Sequence, residues 1–258
     1  MKLVRLAVLV ITCIAAGSAS ADAQPFDSAQ GRQKTARRQV IVEVDGTFVT
    51  TGRTFTDTST PPIHAEAGQI TASYDVPRTP AFGAGVLVHV WRQLSAGVTY
   101  GQSSRSSSAQ ITGLLPHPFF FSRNRQIEGT APNADRKEST LALQVRGSFP
   151  VARQTTLSVF GGPAWLSMKQ GVVEQVNYSE TYPYDTASFT SAIVRDAKET
   201  RLAFLAGADV SYFFSRRIGV GGGFTYSAAT FRLPSLDADV LEATAGGLNV
   251  TTGIRLRF

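Results

Sequence analysis

Eight segments of the sequence alternate between apolar residues and small or polar ones with a period of two. In the clearest of them, Val220, Phe224 and Tyr226 share one parity, and glycine, threonine and serine occupy the other. This period is typical of β-strands, because successive side chains point to opposite faces of a sheet. The predicted strands are residues 40–50, 82–91, 95–104, 140–149, 156–169, 200–214, 218–231 and 246–258.

The connections between these segments alternate strictly between short and long. The short ones are residues 92–94, 150–155 and 215–217, and the long ones are 51–81, 105–139, 170–199 and 232–245. Short turns at one end and long loops at the other are typical of an antiparallel up-and-down transmembrane β-barrel. The sequence therefore predicts an all-β, eight-stranded barrel of this type, with short periplasmic turns and long external loops.

A soluble eight-stranded barrel of lipocalin type would show the same alternation. Such a barrel would carry Lys, Glu and Gln on its outer face, whereas here the second face is small and mostly neutral. A narrow eight-stranded lumen requires small residues, so the apolar face is expected to contact lipid. Aromatic residues near the strand ends fit interfacial girdles: Trp91, Phe149, Phe214, Phe231 and Phe258.

The amino-terminal 23 residues have the order of a secretory signal peptide. Lys2 and Arg5 precede an apolar run over residues 6–16, and small residues follow. The run is too short for a retained membrane anchor. Residues 24–38 are polar and basic, which predicts a disordered periplasmic leader, and residues 39–258 form the predicted barrel. The single cysteine, Cys13, lies within the signal, which excludes thiol chemistry from the mature chain.

The last strand carries the most specific pattern in the chain. Leu248, Val250, Ile254, Leu256 and Phe258 share one face, and the strand ends on an aromatic residue. With the signal peptide and the eight strands, this pattern resembles the outer membrane protein A-type β-barrel domain over residues 40–258. The resemblance implies an integral outer-membrane monomer with both mature termini periplasmic. It also implies that the barrel assembly machinery recognises Ile254, Leu256 and Phe258. No peptidoglycan-binding domain is expected after the barrel.

Charged residues are predicted to meet inside the lumen near its periplasmic end. The first and last strands must pair to close the barrel, which places Glu43 opposite Arg255 and Asp45 on the diagonal. The predicted lumen charges are Glu43, Asp45, His89, Arg146, Asp209, Arg255 and Arg257. They can be a plug that satisfies its own charges or a gate that opens when the arginines change partners. The filled interior of an eight-stranded barrel favours the plug.

Two predicted loops are rich in aromatic and basic residues. The candidate interaction residues are His117, Phe119, Phe120, Phe121, Arg123 and Arg125 in one loop, and Tyr178, Tyr182 and Tyr184 in the next. Exposed, they could bind lipopolysaccharide, a glycan or a host surface. The alternative is that the two loops pack on each other and cap the barrel.

The sequence does not place a catalytic constellation. The three histidines are His64, His89 and His117, and none has a serine beside it on a predicted lipid-facing strand. No enzyme activity, cofactor, metal or nucleic-acid partner is expected, and the expected partners are outer-membrane lipid and lipopolysaccharide. The predicted function is structural or surface-interactive, with a plugged lumen. A small gated channel and an adhesin are the two alternatives.

Overall fold

The computed structural model describes residues 39–50, 52–78, 80–236 and 240–258. Residues 1–38, which hold the predicted signal peptide and leader, lie outside these ranges. None of the described residues belongs to a helix long and apolar enough to span a membrane.

Within the described residues the chain forms fourteen β-strands. They are β1 (Val40–Val49), β2 (Arg53–Ser59), β3 (Pro62–Ile63), β4 (Glu66–Ala67), β5 (Gln69–Val76), β6 (Pro80–Trp91), β7 (Leu94–Arg105), β8 (Ala109–Pro116), β9 (Asn124–Ala131), β10 (Arg136–Pro150), β11 (Thr155–Glu180), β12 (Ala187–Tyr212), β13 (Ile218–Pro234) and β14 (Val240–Arg257).

Eight of the described strands close into a barrel in the order β1-β14-β13-β12-β11-β10-β7-β6. All neighbours are antiparallel, and β1 closes the ring against β14 with Glu43 paired with Arg255. The prediction of an all-β, eight-stranded antiparallel barrel is confirmed. We call the end that holds the short turns, Gln39 and Phe258 the base, and the opposite end the rim.

The outer face of the barrel is apolar, as the alternation predicts. Exposed side chains on this face include Val44, Phe82, Leu143, Phe204 and Val220. Four of the five predicted girdle aromatics are also exposed, and all four lie at the base: Trp91, Phe149, Phe214 and Phe258.

The fifth girdle prediction, Phe231, is wrong. Its side chain is fully buried. It shares the parity of Gly221, whose missing side chain would lie 3.1 Å from Arg255 Nε, so this face of β13 points into the lumen. The alternation along the strand therefore predicts the direction of this side chain better than its position near a strand end does.

The predicted long connections are themselves β-structure for most of their length. Residues 53–76 and 109–131 form a four-stranded sheet of order β2-β5-β8-β9, which we call the outer sheet. The short strands β3 and β4 form a separate hairpin between β2 and β5. Strands β11 and β12 are 26 residues long each, and their outer parts continue past the rim as one hairpin. They remain paired as far as Glu180 and Ala187. The physical reason is that this hairpin buries apolar surface against the outer sheet, which stabilises strands that are only weakly apolar by themselves.

The outer sheet packs closely on the β11-β12 hairpin. Gly129 of β9 lies against Phe189 of β12, and a Cβ at Gly129 would stand 2.2 Å from the Phe189 ring. Tyr74 is buried, stacks on Phe55 at 4.7 Å and accepts a 2.8 Å hydrogen bond from Val173 N–H through its hydroxyl. One apolar core, which includes Ile111 of the outer sheet and Leu166, Met168 and Phe231 of the barrel strands, joins the two parts.

Candidate functional sites in the lumen and at the tip

Five buried or nearly buried charges meet inside the barrel near its base. We call Glu43, Asp45, Arg146, Asp209 and Arg255 the lumen cluster. Arg146 Nη1 lies 3.2 Å from Glu43 Oε2 and 3.3 Å from Asp209 Oδ2. Arg255 lies 3.5 Å from Glu43 and 3.4 Å from Asp209, and donates a short hydrogen bond to Asp45. Each arginine therefore bridges at least two acids contributed by different strands.

Neutral residues complete the surroundings of the lumen cluster. Gln144 donates from Nε2 to Glu43 Oε1 at 3.5 Å, and the Arg146 guanidinium lies 4.7 Å from the centre of the Phe160 ring. A Cβ at Gly85 would stand 2.8 Å from Glu43 Oε1, and one at Gly253 would stand 2.5 Å from Asp45 Oδ1. Glycines across from the charges thus provide the space that these side chains occupy.

Two residues predicted for this network lie outside it. Arg257 has no ion-pair partner among the described residues, and its guanidinium lies 3.8 Å from the centre of the Phe213 ring. His89 is half-buried on β6 and makes no side-chain hydrogen bond or ion pair within the described ranges. Within those ranges His89 therefore has no polar contact with the lumen cluster.

The space above the lumen cluster, toward the rim, is small. A cavity of about 150 Å³ begins at the cluster and is lined by residues such as Thr47, Thr99, Gln102, Thr140 and Asn249. The lumen is therefore narrow where the cluster fills it and widens on the side facing the rim.

Two arginines at the rim are not among the predicted site residues. Arg53 donates to the carbonyl oxygens of Thr244 and Gly246, at 2.6 and 2.9 Å. Arg136 is buried, donates to the Thr244 carbonyl at 3.0 Å and pairs with Glu138 at 2.6 Å. These bonds attach β2 and β10 to β14 at the mouth of the lumen.

The aromatic loops meet at the far end of the hairpin, which we call the tip and define as residues 61–68, 116–125 and 180–186. Arg125 is buried and donates to Glu180 Oε1 at 2.5 Å and to the carbonyl oxygens of Pro116 and Tyr184. His64 Nε2 lies 3.3 Å from Glu180 Oε2, and Ser122 N–H donates to Glu66 at 2.8 Å. Buried Arg125 therefore joins the segments of the tip.

Several aromatic rings at the tip stay exposed. Phe119, Phe120 and Phe121 are 66%, 56% and 81% exposed, and Tyr182 is 79% exposed. Phe119 contacts Tyr184 edge-on at 5.6 Å, and Tyr184 contacts Tyr182 at 6.1 Å. The two loops thus touch each other, as one alternative in the sequence analysis proposed, but they do so at the tip, beyond the barrel mouth.

Charge at the tip is partly neutralised. Arg123 lies 2.9 Å from Asp185 and 5.6 Å from the centre of the Phe120 ring. His117 is buried and lies 4.9 Å from Phe120, ring centre to ring centre. Tyr178 lies on β11 below the tip, where burial and then the carboxylate of Glu180 raise its pKa.

The sequence predicts the tip aromatics as interaction residues but not the acids that position them. Glu180 and Asp185 lie close to the tyrosines in sequence, and pairing with Arg125 and Arg123 was the available signal. Within the described ranges, no group of three or more His, Cys, Asp or Glu residues could hold a metal ion.

No protein-family model matches the chain, and no curated protein sequence matches it. Several solved structures match. The neisserial surface protein NspA is 10% identical, with a TM-score of 0.46, and the match covers 85% of this chain and 97% of NspA. The attachment invasion locus protein Ail of Yersinia pestis, in complex with a heparin analogue, is 10% identical, with a TM-score of 0.40, and the match covers 86% and 99%.

A third match is the outer membrane protease OmpT of Escherichia coli, at 11% identity and a TM-score of 0.44, covering 87% of this chain and 98% of OmpT. The matching structures include small outer-membrane β-barrels. Likenesses this distant assign neither a family nor an activity. Membership of the outer membrane protein A-type family therefore stays a prediction, and so does the absence of enzyme activity.

Proposed function

We propose that the protein is an integral outer-membrane β-barrel that presents an ordered aromatic tip for interaction with an external surface. The observation that carries this proposal is the group of exposed rings, Phe119–Phe121 and Tyr182, held at the end of continuous β-structure. Exposed aromatic clusters of this density on an ordered scaffold commonly mark interaction sites.

The apolar outer face supports the membrane placement. A soluble protein would not leave the outward side chains of every barrel strand apolar and exposed, because contiguous patches of that size promote association. The first described residue, Gln39, lies at the base with Phe258 and the short turns. By analogy with barrels that have short periplasmic turns, we infer that both mature termini are periplasmic and that the tip is external. The protein is proposed to act as a monomer without a cofactor, delivered by the barrel assembly machinery.

The proposed ligand of the tip is a glycan, including the saccharide of lipopolysaccharide. Flat rings stack on the apolar faces of sugars, and the neighbouring Arg123 and His64 supply hydrogen-bond donors. The proposed role is non-catalytic, because each acid of the lumen cluster is held by an arginine.

The test compares Phe121→Ser combined with Tyr182→Ser against Ile193→Ser, which removes an exposed apolar side chain from β12 outside the tip. Proteoliposomes carrying each variant are passed over immobilised lipopolysaccharide. We expect the double variant to bind about thirtyfold more weakly, since each of the two lost aromatic contacts contributes about 1 kcal/mol. The control should bind like the unmodified protein. Equal binding by all three would overturn the interaction role of the tip.

A small gated channel is the second candidate function. The observation that favours it is the cavity of about 150 Å³ that reaches the lumen cluster from the rim side. A change of partners by Arg146 or Arg255 would then be the opening step. The number of ion pairs in the cluster favours a closed lumen instead.

A further inference from the structure

Three lysines form a row across neighbouring barrel strands. Lys137 of β10 pairs in register with Lys169 of β11, which pairs with Lys198 of β12. Beyond the predicted signal peptide the sequence contains only one other lysine, Lys34. Directly paired β-strand residues have Cβ atoms about 5 Å apart. We call Lys137, Lys169 and Lys198 the lysine row.

The lysine row lies on the lipid-facing side of the barrel, just beyond its apolar face. Two residues closer to the base, the same three strands carry a row of hydroxyls formed by Ser139, Ser167 and Thr200. Thr200 Oγ1 donates to Ser167 Oγ at 3.1 Å. Two residues further down, the outward row is Leu141, Trp165 and Leu202, all exposed.

This order of apolar, hydroxyl and lysine rows follows the order of a membrane surface. Strands rise about 3.3 Å per residue, so the lysines lie about 13 Å along the strand from the last apolar row, less when the strand is tilted. The headgroup region extends several ångströms beyond the hydrocarbon core. Lysine side chains can also bend toward it, since their stems are apolar.

The charge of the lysine row is only partly compensated by the protein. Lys169 Nζ pairs with Asp196 Oδ2 at 2.5 Å. In the described part of the chain, Lys137 and Lys198 form no ion pair, and the residue paired with Lys137 on β7 is the neutral Ser104. Like charges on directly paired strand residues are destabilising, so an anion between them would relieve the repulsion.

We propose that the lysine row and the hydroxyls below it bind a phosphate group of an anionic lipid in the leaflet that surrounds the rim. This inference rests on the proposed membrane placement and is independent of the tip. A lysine ammonium binds phosphate as a point charge, and the serine and threonine hydroxyls supply further donors. The lipid, rather than free phosphate, is the ligand because the hydroxyl row connects the lysine row to the lipid-facing apolar surface.

The experiment uses the triple variant Lys137→Gln, Lys169→Gln and Lys198→Gln. The matched control removes three exposed positive charges at the base: Arg92→Gln, Arg153→Gln and Arg216→Gln. Each refolded protein is inserted into phosphatidylcholine vesicles that contain increasing amounts of lipid A. Bound lipid A is then counted by native mass spectrometry after gentle extraction, with and without excess inorganic phosphate.

We expect the lysine variant to bind lipid A at least tenfold more weakly than the unmodified protein and the control. Each basic residue near an anionic surface contributes about 1 kcal/mol, a change of about fivefold. Competition by inorganic phosphate would identify a free-ion site and overturn the lipid proposal. Equal binding by the lysine variant, or an equal loss in the control, would also overturn it. Failure of the unmodified protein to insert would contradict the membrane placement and, with it, this inference.

Discussion

Arg255 is the residue on which the lumen cluster depends most. It contacts all three acids of the cluster, whereas Arg146 contacts two. Since the cluster contains three acids and two guanidinium groups, loss of an arginine leaves a large excess of buried negative charge. Loss of one acid leaves equal numbers of both signs. The two kinds of substitution should therefore have unequal costs.

The variants Arg255→Met and Glu43→Gln test this asymmetry. We expect Arg255→Met to lower the free energy of unfolding by about 3–5 kcal/mol, the usual cost of leaving buried charges without a partner. Glu43→Gln keeps a hydrogen-bonding side chain of the same shape and should cost about 1 kcal/mol. Urea unfolding of the refolded barrel in lipid, followed by heat-shifted gel mobility, measures both. A Glu43→Gln variant as unstable as Arg255→Met would contradict the assigned charge balance.

For single residues, the sequence predicts which strand face each side chain occupies but not all of its contacts. Strand parity placed Glu43, Asp45, Asp209 and Arg255 inside, and the closure of β1 on β14 placed Glu43 opposite Arg255. Parity could not show that Arg257 would lie on Phe213, because a long side chain selects its partner after the backbone is set. Gln144 was not predicted because a neutral amide gives no charge signal.

The β11-β12 hairpin and the outer sheet act together because their contact is buried. Tyr74 lies at the centre of that contact, with its hydroxyl bound to Val173 N–H. Burial raises the pKa of Tyr74 from 10.0 to about 12, more than the hydrogen bond lowers it. The phenol thus retains its proton in the folded outer sheet at a pH at which the unfolded chain has lost it.

The outer sheet should therefore lose stability as the pH rises from about 10 to about 12. A raised pKa contributes its full stabilisation below the unfolded value and loses it on the way to the folded one, here about 3 kcal/mol in total. Tyrosinate absorbance against pH should show a titration near pH 12 that disappears in Tyr74→Phe but remains in Tyr182→Phe. Protease cleavage of the outer sheet should increase over the same range. If Tyr74→Phe removes only an ordinary titration, Tyr74 does not couple the sheet to the hairpin.

The extension of β11 and β12 beyond the rim is not predicted by the sequence pattern. Residues 170–199 and 105–139 alternate less clearly than the barrel strands, because one face packs on another protein surface and the other meets water. In β8, Ala109, Ile111 and Leu115 do share the buried face. That pattern covers only the alternate positions 109, 111, 113 and 115. It is too short to predict a strand beside the aromatic residues 119–121. The need for glycine at position 129 could not be predicted, because it arises from the contact with the Phe189 ring.

The barrel interior contains charged residues at the base, a small cavity above them and polar and apolar residues toward the rim. The lumen cluster lies toward the base, the cavity of about 150 Å³ lies above it, and the bonds of Arg53 and Arg136 lie at the rim. Beside them, apolar residues that include Leu166, Met168 and Phe231 fill the lumen on the β11 and β13 side. An eight-stranded barrel filled in this way should not conduct ions.

Single-channel recording in a planar bilayer tests this expectation. We expect no discrete steps from the refolded mature protein, with heat-shifted gel mobility confirming that the sample is folded. Discrete steps whose size changes in Arg255→Ala would contradict the closed lumen and support the channel. In that case the lumen cluster, rather than the tip, would be the functional site.

The strands β11 and β12 each run as one strand from the base of the barrel to the tip, and their pairing shifts register at residues 173–175 and 177–178. A pulling force on the tip would therefore travel along two continuous backbones into the barrel wall. There the ladders with β10 and β13 would resist it in shear, with many hydrogen bonds loaded at once. A flexible loop would instead stretch and release its contacts one after another. The architecture thus suits the protein to hold a load between two surfaces that move apart.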